Sequence, residues 1–145
     1  MREYKAGIIL TAINAIPNVM GERLANEAAK GIREGHWSYG YMAGFGLNAM
    51  TSSFAIYLGD RLDLSEKSKL LLASITPTIS TLHEFFPVIK RYSTFEKTDI
   101  AIYWAAAILG YLSTKGLAHV GQLHFSRARS QESIDEIVEH EEIVN

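Results

Sequence analysis

Residues 37–59 read WSYGYMAGFGLNAMTSSFAIYLG, a run of 23 residues without one Asp, Glu, Lys, Arg or His. As a helix this run is about 34 Å long at 1.5 Å per residue, enough to cross a hydrocarbon core of about 30 Å. A core helix of a soluble domain normally keeps one charged, wet face. Here Ser38, Asn48, Thr51, Ser52 and Ser53 are the candidates for such a face, and at a 3.6-residue period they make no wide stripe. In a membrane bundle the same small polar residues read as helix–helix contacts. The soluble alternative is a four-helix bundle with an unusually apolar second helix.

Three further apolar blocks surround this one: residues 6–20 (AGIILTAINAIPNVM), 70–89 (LLLASITPTISTLHEFFPVI) and 100–125, which begins IAIYWAAAILGYLST. Pro17 removes a backbone donor and is expected to bend or end the first helix. The stretch after it, GERLANEAAKGIREG, is rich in good helix formers and is expected to continue as an interfacial helix. Short charged loops separate the blocks, which forces neighbouring helices to be antiparallel. The expected fold is all-α: an integral membrane bundle of four transmembrane helices over residues 1–125, followed by an acidic, helical and mobile C-terminal tail over 126–145. No cleavable signal peptide is evident in the first apolar block.

Charge is unevenly spread. Residues 130–145 carry six acids, Glu132, Asp135, Glu136, Glu139, Glu141 and Glu142, and no Lys or Arg, which leaves the rest of the chain at net +4. The mean hydropathy of +0.03 is low for a membrane protein, because charges clustered between apolar blocks enter the same average. The net charge of −2 gives no global drive toward nucleic acid. Without cysteine there is no disulfide or thiolate chemistry. Basic residues divide almost evenly between the two sides, so the positive-inside rule does not fix the orientation.

Gly40–Gly44 and Ala106–Gly110 have the small-residue spacing that lets membrane helices approach closely. Their expected use is packing within the chain rather than dimerisation. Trp37, Tyr39, Tyr41, Phe85 and Phe86 stand near block ends, where aromatic side chains anchor at the interface.

Ionisable residues at membrane depth are the functional candidates, because charge in hydrocarbon is costly and such groups face the bundle interior or a wet cavity. Glu84, beside His83, is the sharpest. It can accept a proton or bind a cationic or hydroxylated headgroup, or it can lie at the interface as an anchor. A metal site from His83, Glu84 and His119 matches no ligand spacing such as HExxH, and no GxSxG elbow for a hydrolase occurs. Neither a metal nor a cofactor is expected. Asp99 suits a helix N-terminus, where the dipole favours a carboxylate, and a simple N-cap at Thr98 or Asp99 is the plainer reading.

From Arg33 to about Leu112 the chain resembles the VanZ-like family of small polytopic membrane proteins. Arg33, His36 and Trp37 stand at the spacing of that family's Lys-x-x-His-aromatic motif, and HEFFPVIKRYSTFEKTD supplies Glu84, Pro87, Arg91 and Asp99. The departures are Arg33 for Lys, Tyr103 where the family usually has Asn, an early Arg91, and no Gln after the acid. The resemblance implies a polar constellation of Arg33, His36, Glu84, Arg91 and Asp99 at one membrane face. Loop parity alone also puts these five on one side.

Two function classes follow: a site that binds or acts on a lipid headgroup or lipid-linked envelope precursor, and a non-catalytic accessory subunit of a larger membrane complex. The expected partners are membrane lipids and, in the accessory-subunit reading, a membrane protein, but not nucleic acid. Oligomeric state is open.

Overall fold

The computed structural model describes the backbone of residues 2–36, 38–85 and 97–144, and the side chains of all of these except 97, 125 and 128–144. Four helices account for them: α1 (Glu3–Ala29), α2 (Ser38–Arg61), α3 (Glu66–Phe85) and α4 (Lys97–Val144). No strand occurs among the described residues. Cross-helix contacts fix the directions. Gly7 meets Ser53 and Tyr57, and Gly21 meets Tyr39 and Ala43, so α1 and α2 are antiparallel. Ser52 bonds to Ala73, and Gly59 meets Lys69, so α3 turns back along α2. Thr81 bonds to Trp104 and Glu66 to Tyr111, so α4 turns back along α3. The bundle is up-down-up-down.

Local sequence explains the ends. After α1, Gly31 adopts a left-handed φ of 71°, its N–H bonds to Ala28 O, and Ile32 N–H reaches Glu27 O. This pairing satisfies the last helix carbonyls and uses glycine's freedom at positive φ. Asp63 (φ 53°) closes α2 in the same way, with Leu64 N–H on Gly59 O. Ser65 caps α3 by accepting from Ser68 N–H at 3.3 Å. Pro17 and Pro77 lie inside α1 and α3 without ending either helix. The tail is continuous with α4, with no break at residue 125.

The uncharged segment is α2, and it packs against all three other helices. Its remaining outward side, with Leu47 and Phe54 exposed, is uncharged. Its seam with α1 repeats every seven residues: Gly7, Asn14 and Gly21 on α1 face a row that includes Gly46, Ser53 and Asp60 on α2, the spacing of closely packed, left-handed helix pairs. A Cβ on Gly46 would lie 2.3 Å from Asn18 N, and one on Gly110 would lie 2.5 Å from Ala49 O. Gly110 thus acts as its small-residue spacing predicts. The Gly40–Gly44 pair does not form a backbone contact: Gly40 faces open space, and Gly44 receives the Tyr103 ring.

The interior is small and partly polar, while the exterior is large and aliphatic. Ala6, Ala49, Ala55, Ala73, Ala106, Ala107 and Ala118 are buried with Asn48, Ser52, Ser53 and Thr114. Ile56 is the one large aliphatic side chain fully buried among the described residues. Ile9, Ile13 and Ile16 on α1, Leu71, Ile75 and Ile79 on α3, and Ile108, Leu109 and Leu112 on α4 all point outward. Several side chains bond inside the bundle: Asn14 donates to Ser53 Oγ, Ser53 reaches the carbonyls of Ala49 and Gly110, Asn18 donates to Ala43 O, and Asn48 donates to Gly44 O while its own Oδ1 is buried without a partner.

Among the described residues one stretch, Thr98–His124 on α4, is long and apolar enough to cross a membrane. The other three expected spans fall short on composition. In α1 and α2, Asn, Ser and Gly on the faces buried between them depress an average taken around the whole helix, and in α3 the charged Glu66, Lys67, Lys69 and Glu84 do so.

Candidate functional site

Antiparallel order brings the ends of α1 and α3 together with the starts of α2 and α4. Arg33, His36, Glu84 and Asp99 belong to this end, and Arg91 lies outside the described residues, as do Trp37, Phe86 and Pro87. Arg33 is exposed and pairs with Glu27 at 3.3 Å. Glu27 also takes Arg23 at 3.0 Å, and Arg23 chiefly, then Arg33, holds that carboxyl below its usual range. His36 is exposed, and its Nδ1 accepts from the backbone N–H of Ser38 at 3.3 Å and lies 2.7 Å from the Ser38 hydroxyl. It therefore acts as a cap on the first turn of α2.

Glu84 is different. It is 7% exposed, and its Oε1 accepts a hydrogen bond of 2.9 Å from the Tyr103 hydroxyl. Its Oε2 is buried without a hydrogen-bond partner, and no salt bridge among the described residues reaches the carboxylate. A buried acceptor left open costs about 1–3 kcal/mol, and more when charged. Tyr103 is held by its seat on Gly44, where only a glycine leaves room for the ring. Asp99, one turn earlier on α4, and Tyr41 lie within electrostatic range of the same phenol. Beside this pair, Trp104 Nε1–H donates to Thr81 Oγ1 at 3.1 Å and bridges α4 to α3. The structure thus joins Glu84 to Tyr103, with Asp99 nearby. Arg33 and His36 serve the α1–α2 connection.

The opposite end holds a cluster that sequence reading left as scattered loop charges. Lys69, 6% exposed, contacts Glu3 of α1 at 2.8 Å, Asp60 of α2 at 3.6 Å and Glu66 at 3.1 Å. Lys115 of α4 reaches Glu3 at 2.7 Å and also Glu66, which accepts from Tyr111 at 3.3 Å. All four helices enter this network. Lys115 first, and then Lys69, hold the Glu66 carboxyl down at about 2. A cleft of about 530 Å³ opens beside it, with Arg2 and Arg61 at its rim. The available signal was Lys115, the one Asp, Glu, Lys or Arg between Asp99 and Arg127. A lone charge in an apolar helix requires partners.

His83 and His119, the other two residues weighed for a metal, are exposed, and no group of three His, Asp or Glu side chains among the described residues is placed to hold a metal ion. No protein-family model, curated protein or solved structure matches this chain.

Proposed function

We propose that this chain is an integral membrane protein of four transmembrane helices, located in the cell membrane if the source is a prokaryote, and that its Glu84 end binds the polar headgroup of a membrane amphiphile. The observation that carries the reading is a buried carboxylate with one open oxygen, at one end of a bundle whose outer surface is aliphatic. Contiguous exposed apolar surface of this extent is the mark of contact with lipid or protein. The 16 residues from Asp99 to Lys115 on α4 separate the two polar ends by about 24 Å. That is a few ångströms below a typical hydrocarbon thickness, a mismatch that costs only fractions of a kcal/mol per Å.

The VanZ-like resemblance leads to the same end of the molecule, through Arg33, His36, Glu84 and Asp99. An assembly role is the second reading, favoured by one observation: α4 runs 29 residues beyond Lys115, an extension of about 43 Å. Purification in native lipid discs, with mass spectrometry of the retained lipid, tests the first reading. The wild type should retain a lipid class that Glu84→Gln loses. Identical lipid profiles for the two proteins would refute a headgroup site at Glu84.

A further inference from the structure

We infer that the open oxygen of Glu84 and the groove between α3 and α4 form one site, whose ligand is a lipid with a primary ammonium headgroup. The inference rests on the membrane reading above and names the ligand class of its site.

The groove has a volume of about 240 Å³ and a wholly apolar exposed lining that includes Leu70, Ala73, Trp104, Ala107, Ile108 and Leu112. It faces outward along the aliphatic surface, where an acyl chain is the ambient solvent. One end is closed by the Tyr111–Glu66 bond and the other is barred by the Trp104–Thr81 bond. Beyond the bar stands Glu84. Ala73 and Glu84 are 11 residues apart on α3, three turns plus about 20°, so they share one helix face about 16 Å apart. On α4, Tyr103, which holds Glu84, immediately precedes Trp104.

The headgroup follows from charge and from hydrogen-bond capacity. Glu84 has no ion-pair partner among the described residues, and its Oε2 is an acceptor without a donor. A cation that also carries N–H groups satisfies both demands. A quaternary ammonium supplies the charge but no donor, and the anionic glycerol headgroup of phosphatidylglycerol supplies hydroxyl donors but no positive charge. A charge-assisted bond from a primary ammonium is the strong form of this contact. Trp104 stands where chain and headgroup meet, so its indole must swing aside or line the ligand.

The test uses the full-length chain carrying Trp37→Phe, so that Trp104 is the single tryptophan. It is reconstituted in vesicles with graded fractions of lipid brominated on the acyl chain, and Trp104 fluorescence is followed. Brominated phosphatidylethanolamine should quench at about tenfold lower mole fraction than brominated phosphatidylcholine or phosphatidylglycerol, as one charge-assisted bond in place of none requires. Glu84→Gln should abolish that preference and leave quenching by phosphatidylcholine unchanged. Ile108→Phe, which narrows the groove from its exposed rim without touching Glu84, should weaken quenching by phosphatidylethanolamine severalfold. Equal quenching by all three lipids in the wild type would overturn this inference and leave the membrane reading standing. Absence of quenching by any lipid would overturn the membrane reading itself. A preference that disappears as protein-to-lipid ratio rises would mean that a second copy fills the groove, which also overturns the inference.

Discussion

Replacing Gly46 by alanine should loosen the α1–α2 seam. The added Cβ would stand 2.3 Å from Asn18 N, 2.8 Å from its Cα and 2.9 Å from its Cβ. Two of these atoms belong to backbone, so no rotamer change relieves the clash. Restoring ordinary contact moves the helices apart by about 1 Å, and overpacking of this kind costs about 1–3 kcal/mol. The same displacement stretches the 3.0 Å bond from Asn18 Nδ2 to Ala43 O. Interhelical bonds of this kind are worth about 0.6 kcal/mol on average and up to about 1.7. Less the roughly 1 kcal/mol by which alanine is the better helix former, Gly46→Ala should therefore destabilise the protein by about 1–4 kcal/mol. Gly40→Ala is the control, because a Cβ there meets nothing within 4 Å and alanine is the better helix former by about 1 kcal/mol. Unfolding by dodecyl sulfate in mixed micelles, followed by circular dichroism, measures both variants. Gly46→Ala as stable as the wild type, or Gly40→Ala equally damaging, would refute the packing derived from the seam.

Lys69→Met should cost on the order of 3 kcal/mol, the usual penalty for removing one partner of a buried ion pair. In the same unfolding assay Arg23→Ala, which breaks an exposed pair, should change stability by less than about 1 kcal/mol. The Glu66 carboxyl has a folded value of about 2 against an ordinary 4.5. Its contribution is therefore fully present above pH 4.5 and is lost as pH falls from there toward 2. Thermal stability should hold level from pH 7 to 5 and then decline, and the decline should shrink in Glu66→Gln. Truncation after Arg129 should leave the circular dichroism melt of residues 1–125 unchanged, since the contacts described above all lie before that point.

Much of the helical order was legible, because it depends on local signals. Residues 38–59 of the uncharged run lie in α2, whereas α1 ends at Ala29, short of the helical continuation expected through residue 35, because Gly31 takes a positive φ. The expected antiparallel order followed from short connections. What escaped depends on which face meets which. Gly40–Gly44 has the spacing of a contact motif, yet Gly7, Gly21 and Gly46 make the close approaches. Each of these is matched to a partner on a different helix, and spacing within one helix cannot reveal that. Glu84 was singled out by its cost in hydrocarbon, but its partner Tyr103 was visible only as a departure from a motif. The ion-pair network was missed for a related reason. Glu3, Asp60, Glu66 and Lys115 are far apart in sequence, and each alone reads as an ordinary loop or helix-end charge.

The central claim is that the aliphatic exterior of all four helices faces lipid. The absence of cysteine makes a direct measurement available: single cysteines at Ile13, Phe54, Ile75 and Ile108, each on a different helix and each about half exposed, can carry a nitroxide in reconstituted vesicles. Power-saturation spectroscopy then compares accessibility to oxygen, which concentrates in hydrocarbon, with accessibility to a water-soluble nickel chelate. The account predicts high oxygen and negligible chelate accessibility at all four positions. Chelate accessibility at Ile13, Phe54 or Ile75 would contradict it, and accessibility at all three with Ile108 protected would leave α4 as the one helix in the membrane.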